Sequence, residues 1–515
     1  MFELSVKEME KEMVSISESI FGSIYNINLD LFRKGNDVEY EPTFNEIFDF
    51  HITSFGLGLM KNICTNNVLS PGTFLCMRSM IESIALKKMF ACGDISREQE
   101  KMLKAQFAII EWIAYEKYVE KDSSLFSPEM KRSYEESREK FLRYIGASEL
   151  KRIERNQLLF LCENKKPIMI VEKYLPEFLE RYKICSQIIH PNDNQLLYRM
   201  DFSYISYCFP MIEYLVNEYY NKSGKLINST FKDVYGDCSG PQTDKMYDAT
   251  MRFNEELSKI SNVLRQFFGD NTYVANMLDT VRNLTIDLHC DSILGLTELM
   301  KSKFKIIVEM FAACRELIKD PHHILNMEKF YQLFVIHTEN QFDYNRGGNP
   351  SAEYAYDLYI ELYPTGFSRE QFDVLFCKTT GFLITEVEPP SLTKLCRDFA
   401  NCIEDTNPNG RLNLSELCIL NYVESQMLSH SNGYIWYANK GSFNDIAGVD
   451  GFIKAFTIEY LSRMYELYRI HSIANGTKEY KRIMNILRNS IKRLKTVSDE
   501  LNKLEQFPRI DISRI

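Results

Sequence analysis

The stretch TFLCMRSMIESIALKKMF (Thr73–Phe90) decides the fold: its apolar residues return every three to four positions, the period that lines one side of a helix. The same period runs through Phe44–Ile63, Gln106–Val119, Met130–Tyr144 and Leu196–Tyr220, with short polar connections between them. Only 22 Gly and 15 Pro punctuate 515 residues, while Leu, Ile, Lys, Glu, Met and Tyr are plentiful, a balance that favours long helices over turn-rich β structure. The reading is an all-α protein whose first half is a helical bundle.

Working outward, helices break at NKSGKLINSTFKDVYGDCSGPQTD, the connection richest in Gly, Ser and Thr, and resume near Lys245 as far as Leu317. HTENQFDYNRGGNPSAEYAYD is a looser middle, with helices expected again from Ser368. The 45% apolar content suits a soluble globular chain, and a net charge of −10 excludes a surface that attracts nucleic acid everywhere while leaving room for a local basic cleft. Thirteen cysteines without a CxxC pair, several of them inside apolar helical runs as Cys76, Cys185, Cys208 and Cys314 are, fit free thiols in a reducing compartment. MFELSVKEMEKEM has neither the basic start nor the apolar core of a signal peptide, and no apolar run approaches the ~18 residues that cross a bilayer, so a cytoplasmic protein without membrane contact is expected.

The two halves echo each other. YKICSQIIHPN sets Tyr182 eight residues before His190 and Asn192 two after it; YVESQMLSHSN repeats this with Tyr422, His430 and Asn432. IEYLVNEY from Ile212 recurs as IEYLSRMY from Ile458, and Met77–Ser79 (MRS) matches Met300–Ser302 (MKS). With eight histidines in the chain, two unrelated copies of Tyr-x7-His-x-Asn are not expected, and an internal duplication follows. The expected layout is a helical extension at 1–43, a first bundle at 44–222, a linker and connecting helix at 223–270, a second bundle at 271–473 and a basic helix with its tail at 474–515. Two tandem bundles related by a pseudo-two-fold axis are the natural consequence, because duplicated domains inherit the interface of an ancestral dimer.

MRSMIESIALKKMF followed about a hundred residues later by SQIIHPN resembles a bacterial family of helical domains near the HEPN superfamily, whose members carry an Arg-Ser-x-x-Glu helix and a later Ser-x-x-x-His segment. Arg78, Ser79 and Glu82 match the first element, Ser186 and His190 the second. The second half departs from it, with Lys301 and Phe304–Lys305 where the Arg and Glu belong. The resemblance implies an HEPN-like fold, anti-phage or abortive-infection biology, and metal-independent RNA cleavage as an activity.

Such cleavage needs a base for the 2′-hydroxyl proton and a cation for the charge on the phosphate. His190 and Arg78 could supply these, with Glu82 one turn from Arg78 to orient either, and His430 as the counterpart of His190 in the second half. The same residues could equally form a buried network that ties helices together without chemistry. RNLTIDLH, Arg282 to His289, offers a second Arg/His pair on one helical face, and RELIKDPH, Arg315 to His322, a third that runs into a Pro-bearing helix end. No phosphate-binding Gly loop, HExxH or Gly-x-Ser-x-Gly elbow is present. The alternative function is a non-catalytic sensor or scaffold that binds a protein partner or self-associates.

Two further features remain. DTNPNGRLNLSE, Asp405 to Glu416, fits a twelve-residue calcium loop, with Asp405, Asn407, Asn409, the Arg411 carbonyl and Glu416 at the ligand positions and Gly410 at position 6. It reads equally as an Asn-Pro-Asn-Gly turn followed by an Asn413/Glu416 helix cap. TKEYKRIMNILRNSIKRLKTVSDELNKLEQ carries Lys481, Arg482, Arg488, Lys492, Arg493 and Lys495 around an apolar seam, either a solvated face or a phosphate-binding one.

Overall fold

The computed structural model describes residues 6–35, 42–93, 167–189, 204–222, 229–268, 273–319, 351–376 and 478–505, with a few single positions elsewhere. Among these, every regular element is helical: α1 (Val6–Gly35), α2 (Phe44–Cys64), α3 (Pro71–Ala91), α4 (Pro167–Tyr174), α5 (Leu179–Ile189), α6 (Tyr204–Leu215), α7 (Phe231–Cys238), α8 (Pro241–Phe268), α9 (Tyr273–Ile293), α10 (Thr297–Lys319), α11 (Ser351–Leu362), α12 (Arg369–Phe376) and α13 (Lys478–Glu505). The expected helix at Gln106–Val119, together with His190, Asp405–Glu416, Tyr422 and His430, lies outside the described residues, and of the one expected at Met130–Tyr144 only Arg132, Glu135 and Glu139 are described, all helical and exposed.

Two helices are interior on every side. α2 is buried almost continuously from Phe44 to Ile63 and α3 from Pro71 to Leu86, as expected of helices surrounded by neighbours rather than set against solvent along one stripe. Around this hairpin α1 and α6 pack on α2, α4 and α5 pack on α3, and α9 and α10 press on both. The approach is close. A Cβ at Gly58 would stand 2.3 Å from Leu299 of α10 and 2.9 Å from the Cys76 sulfur of α3, so the absent side chain is what lets the three helices meet.

A second hairpin, α9–α10, is built alike. α1 lies along α2 and α8 along α9, so each half presents a long helix, a helix of 21 residues and its hairpin partner. The turns also close alike. α2 ends with Asn66 at φ 53° and the Asn67 amide donating to the Asn62 carbonyl at 2.8 Å; α9 ends with Gly295 at φ 70° and the Leu296 amide donating to the Asp291 carbonyl at 2.9 Å. Both are left-handed C-caps that turn the chain back on itself.

The segments set apart by sequence as extension, linker and tail each carry a helix that packs on this assembly: α1 on α2, α8 on α9, and α13 on α8. Their amphipathic patterns account for it, since each has one apolar stripe to cover. The expected loose middle is shorter than its composition suggests. Ser351–Asp357 belongs to α11, which places Tyr359 at 2% exposure among Tyr356, Phe367 and Phe372. Aromatic packing there overrides the turn signal of the preceding Gly-Gly-Asn-Pro. Cys76, Cys185 and Cys208 are buried free thiols, and burial pushes the Cys76 thiol up to about 12.

α2 starts at a capping box. The Glu46 amide donates to the Thr43 hydroxyl at 3.2 Å and the Thr43 amide donates to the Glu46 carboxylate at 3.0 Å. Desolvation alone would raise Glu46, but hydrogen bonds from Tyr40, Thr43 and Lys34 bring it down to about 2. Thr43→Ala is expected to cost about 1 kcal/mol in urea denaturation near pH 7. A carboxylate depressed in the fold stabilises above its unfolded value and loses that contribution as pH falls towards 2, so the difference between variant and parent should shrink across that range.

Candidate functional site

The Arg-Ser-x-x-Glu helix is α3, and the Ser-x-x-x-His segment begins on α5, which packs against it. Helical spacing puts Arg78 and Glu82 one turn apart, and the Arg78 Nε lies 3.2 Å from the Glu82 Oε1. From α5 the Tyr182 hydroxyl donates to the same Glu82 oxygen at 2.8 Å, and the Arg78 guanidinium sits 5.8 Å from the centre of the Tyr182 ring. The group is sealed, with side-chain exposures of 5% for Arg78 and 3% for Glu82. Burial disfavours the charge on Arg78, but Glu82, Tyr182 and the more distant Glu309 of α10 outweigh it and keep the guanidinium charged. Burial likewise pushes the Tyr182 phenol up, so it stays a neutral donor.

The sequence therefore brings Arg78 and Glu82 together as expected, and the eight-residue spacing to His190 turns out to mark a residue, Tyr182, that completes the pair. Arg282 and His289 share α9 two turns apart. Arg282 is partly exposed and 3.8 Å from Asp279, whereas His289 is 8% exposed with its ring 5.3 Å from that of Tyr247 on α8. One end of this pair faces the surface and the other is packed between helices.

A second network went unread in the sequence and is the more heavily charged of the two. Lys61 of α2, Asp287 and Asp291 of α9 and Lys303 of α10 meet at the crossing of the two hairpins, all four side chains at 0% exposure. Each ammonium bonds both carboxylates; the Lys303–Asp287 contact is 2.6 Å. The other Asp287 oxygen accepts from the Ser70 hydroxyl at 2.7 Å and the Asn62 amide at 3.2 Å. Ser70 is also the N-cap of α3, accepting from the Gly72 amide at 3.1 Å, so Asp287 is seated at the positive end of that helix. A Cβ on Gly72 would fall 2.0 Å from the Asp287 carboxylate, which explains a glycine at this place.

Two positive and two negative charges cancel, and each finds hydrogen-bonding partners, the condition under which buried ions are tolerated. Burial raises Asp287, but the Lys303 and Lys61 ammonium groups outweigh it and hold the carboxyl well below the usual range. For Asp291, which lacks the extra donors, burial wins and its carboxyl lies above the usual range. Burial would lower Lys61; the attraction of Asp287 and Asp291 reverses this and raises it.

A third polar pair, the Ser83 hydroxyl 2.6 Å from the His51 Nδ1, is also buried between α2 and α3. Buried as they are, these groups hold helices in register and present no surface to a substrate. The signal that could have found the quartet is the interruption of apolar helices by lone charges of opposite sign, Lys61 in GLGLMKNIC and Asp287/Asp291 one turn apart in IDLHCDSI. Among the described residues no cluster of His, Cys, Asp and Glu is arranged to hold a metal ion, and no helix is long and apolar enough to cross a membrane.

Comparison with known proteins adds no relative: no family model, curated protein or solved structure matches this chain.

Proposed function

We propose that this protein is a non-catalytic helical sensor or scaffold that binds a protein partner, with Arg78, Glu82 and Tyr182 serving to lock α3 against α5. The observation that carries this reading is the burial of the Arg78–Glu82 pair, since a cation that stabilises a scissile phosphate has to reach it. The resemblance to HEPN-like domains supplies the setting, anti-phage or abortive-infection defence in a bacterial cytoplasm.

The duplication belongs to the same proposal. In its favour, Met77, Arg78 and Ser79 on α3 and Met300, Lys301 and Ser302 on α10 are all buried, each set on the second helix of its hairpin. Register pairs Cys185 with Ser425, Met211 with Thr457 and Leu215 with Leu461, and all six are buried. Two diverged copies would bury the same register positions in this way.

The test is RNA integrity in parallel with thermal unfolding. Purified protein is expected to leave a mixed-sequence RNA intact, and His190→Ala to change no RNA-directed activity. RNA cleavage by the parent that His190→Ala abolishes at an unchanged melting temperature would instead establish the ribonuclease.

A further inference from the structure

α13 buries one side and offers the other to solvent. Met484, Leu487, Ile491, Leu494 and Val497 are the buried side of the helix, which packs along α8. Its exposed side carries Lys481, Arg482, Arg488, Lys492 and Lys495, and none of these pairs with a carboxylate among the described residues. Arg493, at the border, differs: it donates to Glu256 of α8 at 2.8 Å, and Glu256 also holds Lys259. Arg252 of α8 is likewise paired, with Glu500. The acidic residues of this neighbourhood are thus drawn towards the α8 side, and Glu479 is the one acidic residue between Lys478 and Lys495.

The spacing of the cations is ordered. Lys481, Arg488, Lys492 and Lys495 recur at i, i+7, i+11 and i+14, which at 100° per residue falls within a stripe about 60° wide and about 21 Å long. In a chain of net charge −10 such a row is the reverse of the average surface. We propose that this row is a docking face for a nucleic-acid phosphate backbone.

The alternatives fit less well. A helix that binds a bilayer from the surface sinks its apolar face into the acyl boundary, and here that face is occupied by α8. A row of ammonium and guanidinium groups without exposed apolar residues between them suits a regular polyanion, and 21 Å spans about six phosphates at ~3.4 Å each along one strand of a duplex. Asn485 and Asn489, both exposed on this face, add donors and acceptors for sugar and phosphate oxygens. Recognition through backbone charge alone is independent of sequence. The inference stands apart from the scaffold reading, because it uses none of the buried residues.

The experiment measures fluorescence anisotropy of labelled 20-nucleotide probes, single-stranded RNA, duplex RNA and duplex DNA, titrated with the full chain. Binding is expected, weakening with salt at a log–log slope of about −3 to −4 for the duplexes, as four phosphate contacts require. K481E/R488E/K492E/K495E should weaken it by about tenfold or more with an unchanged far-ultraviolet circular dichroism spectrum, and the glutamine version should weaken it less. Lys232→Glu, on the exposed face of α7, should leave binding as it was. The preferred probe tells which nucleic acid is the ligand. Failure of the parent to bind any probe, equal binding by the charge-reversed chain, or capture by phosphatidylserine vesicles without nucleic-acid binding overturns the proposal, and each leaves the fate of RNA in the cleavage test separate.

Discussion

Lys303→Met should lower the free energy of unfolding by about 3–5 kcal/mol, the usual consequence of removing one partner of a buried ion pair. The substitution leaves Asp287 and Asp291 facing a single ammonium, Lys61, at full burial. Asp287 keeps Ser70 and Asn62, whereas Asp291 loses half of its charged partners. The excess negative charge therefore falls on Asp291, and the remedy follows: Lys303→Met combined with Asp291→Leu restores neutrality and should recover most of the loss. A double-mutant cycle by urea denaturation measures this; a double variant no more stable than Lys303→Met would show that the quartet is not balanced pairwise. Acid acts on the two carboxyls in opposite senses. Asp287, depressed in the fold, stabilises above the ordinary value of ~3.9 and loses that contribution as pH falls below it, while Asp291, raised by burial, is favoured in its protonated form. Below the ordinary carboxyl value the Asp287 contribution should therefore fade, while protonation of Asp291, favoured in the fold, offsets part of that loss.

The helical class was legible in the sequence because long apolar runs with scarce Gly and Pro are a local property, although α2 and α3 are buried on all sides rather than along the single stripe that an apolar period would line. Arg78 and Glu82 were legible for the same reason, being one turn apart on one helix. The quartet was not, because it is assembled from positions more than two hundred residues apart whose meeting depends on how the two hairpins cross. Tyr182 lies between these cases. The repeat drew attention to it as a landmark, yet its hydroxyl acts on Glu82, a hundred residues earlier, and that distance carries no local signature. α11 was missed for the opposite reason, a strong local turn signal just upstream of a helix that aromatic packing holds in place.

Arg78→Met is expected to be as costly as the loss of Lys303, about 3–5 kcal/mol, since it removes the guanidinium that balances the Glu82 charge in the core and leaves the Tyr182 hydroxyl as a neutral partner. Arg78→Lys should cost far less, about 1 kcal/mol. Charge is kept, and what disappears is the planar guanidinium over the Tyr182 ring together with its second donor direction. Under the proposed duplication the residue corresponding to Arg78 is Lys301 on α10, and it too is buried. A lysine is thus compatible with this register on the second helix of a hairpin. The pair of substitutions separates structure from chemistry. If Arg78 only holds α3 to α5, melting temperature and any partner binding should fall together in Arg78→Met and both persist in Arg78→Lys; if a guanidinium is needed to stabilise a phosphate, Arg78→Lys should keep its melting temperature and lose RNA cleavage. The burial of the pair argues for the first outcome, and thermal unfolding of the two variants beside an RNA assay decides it.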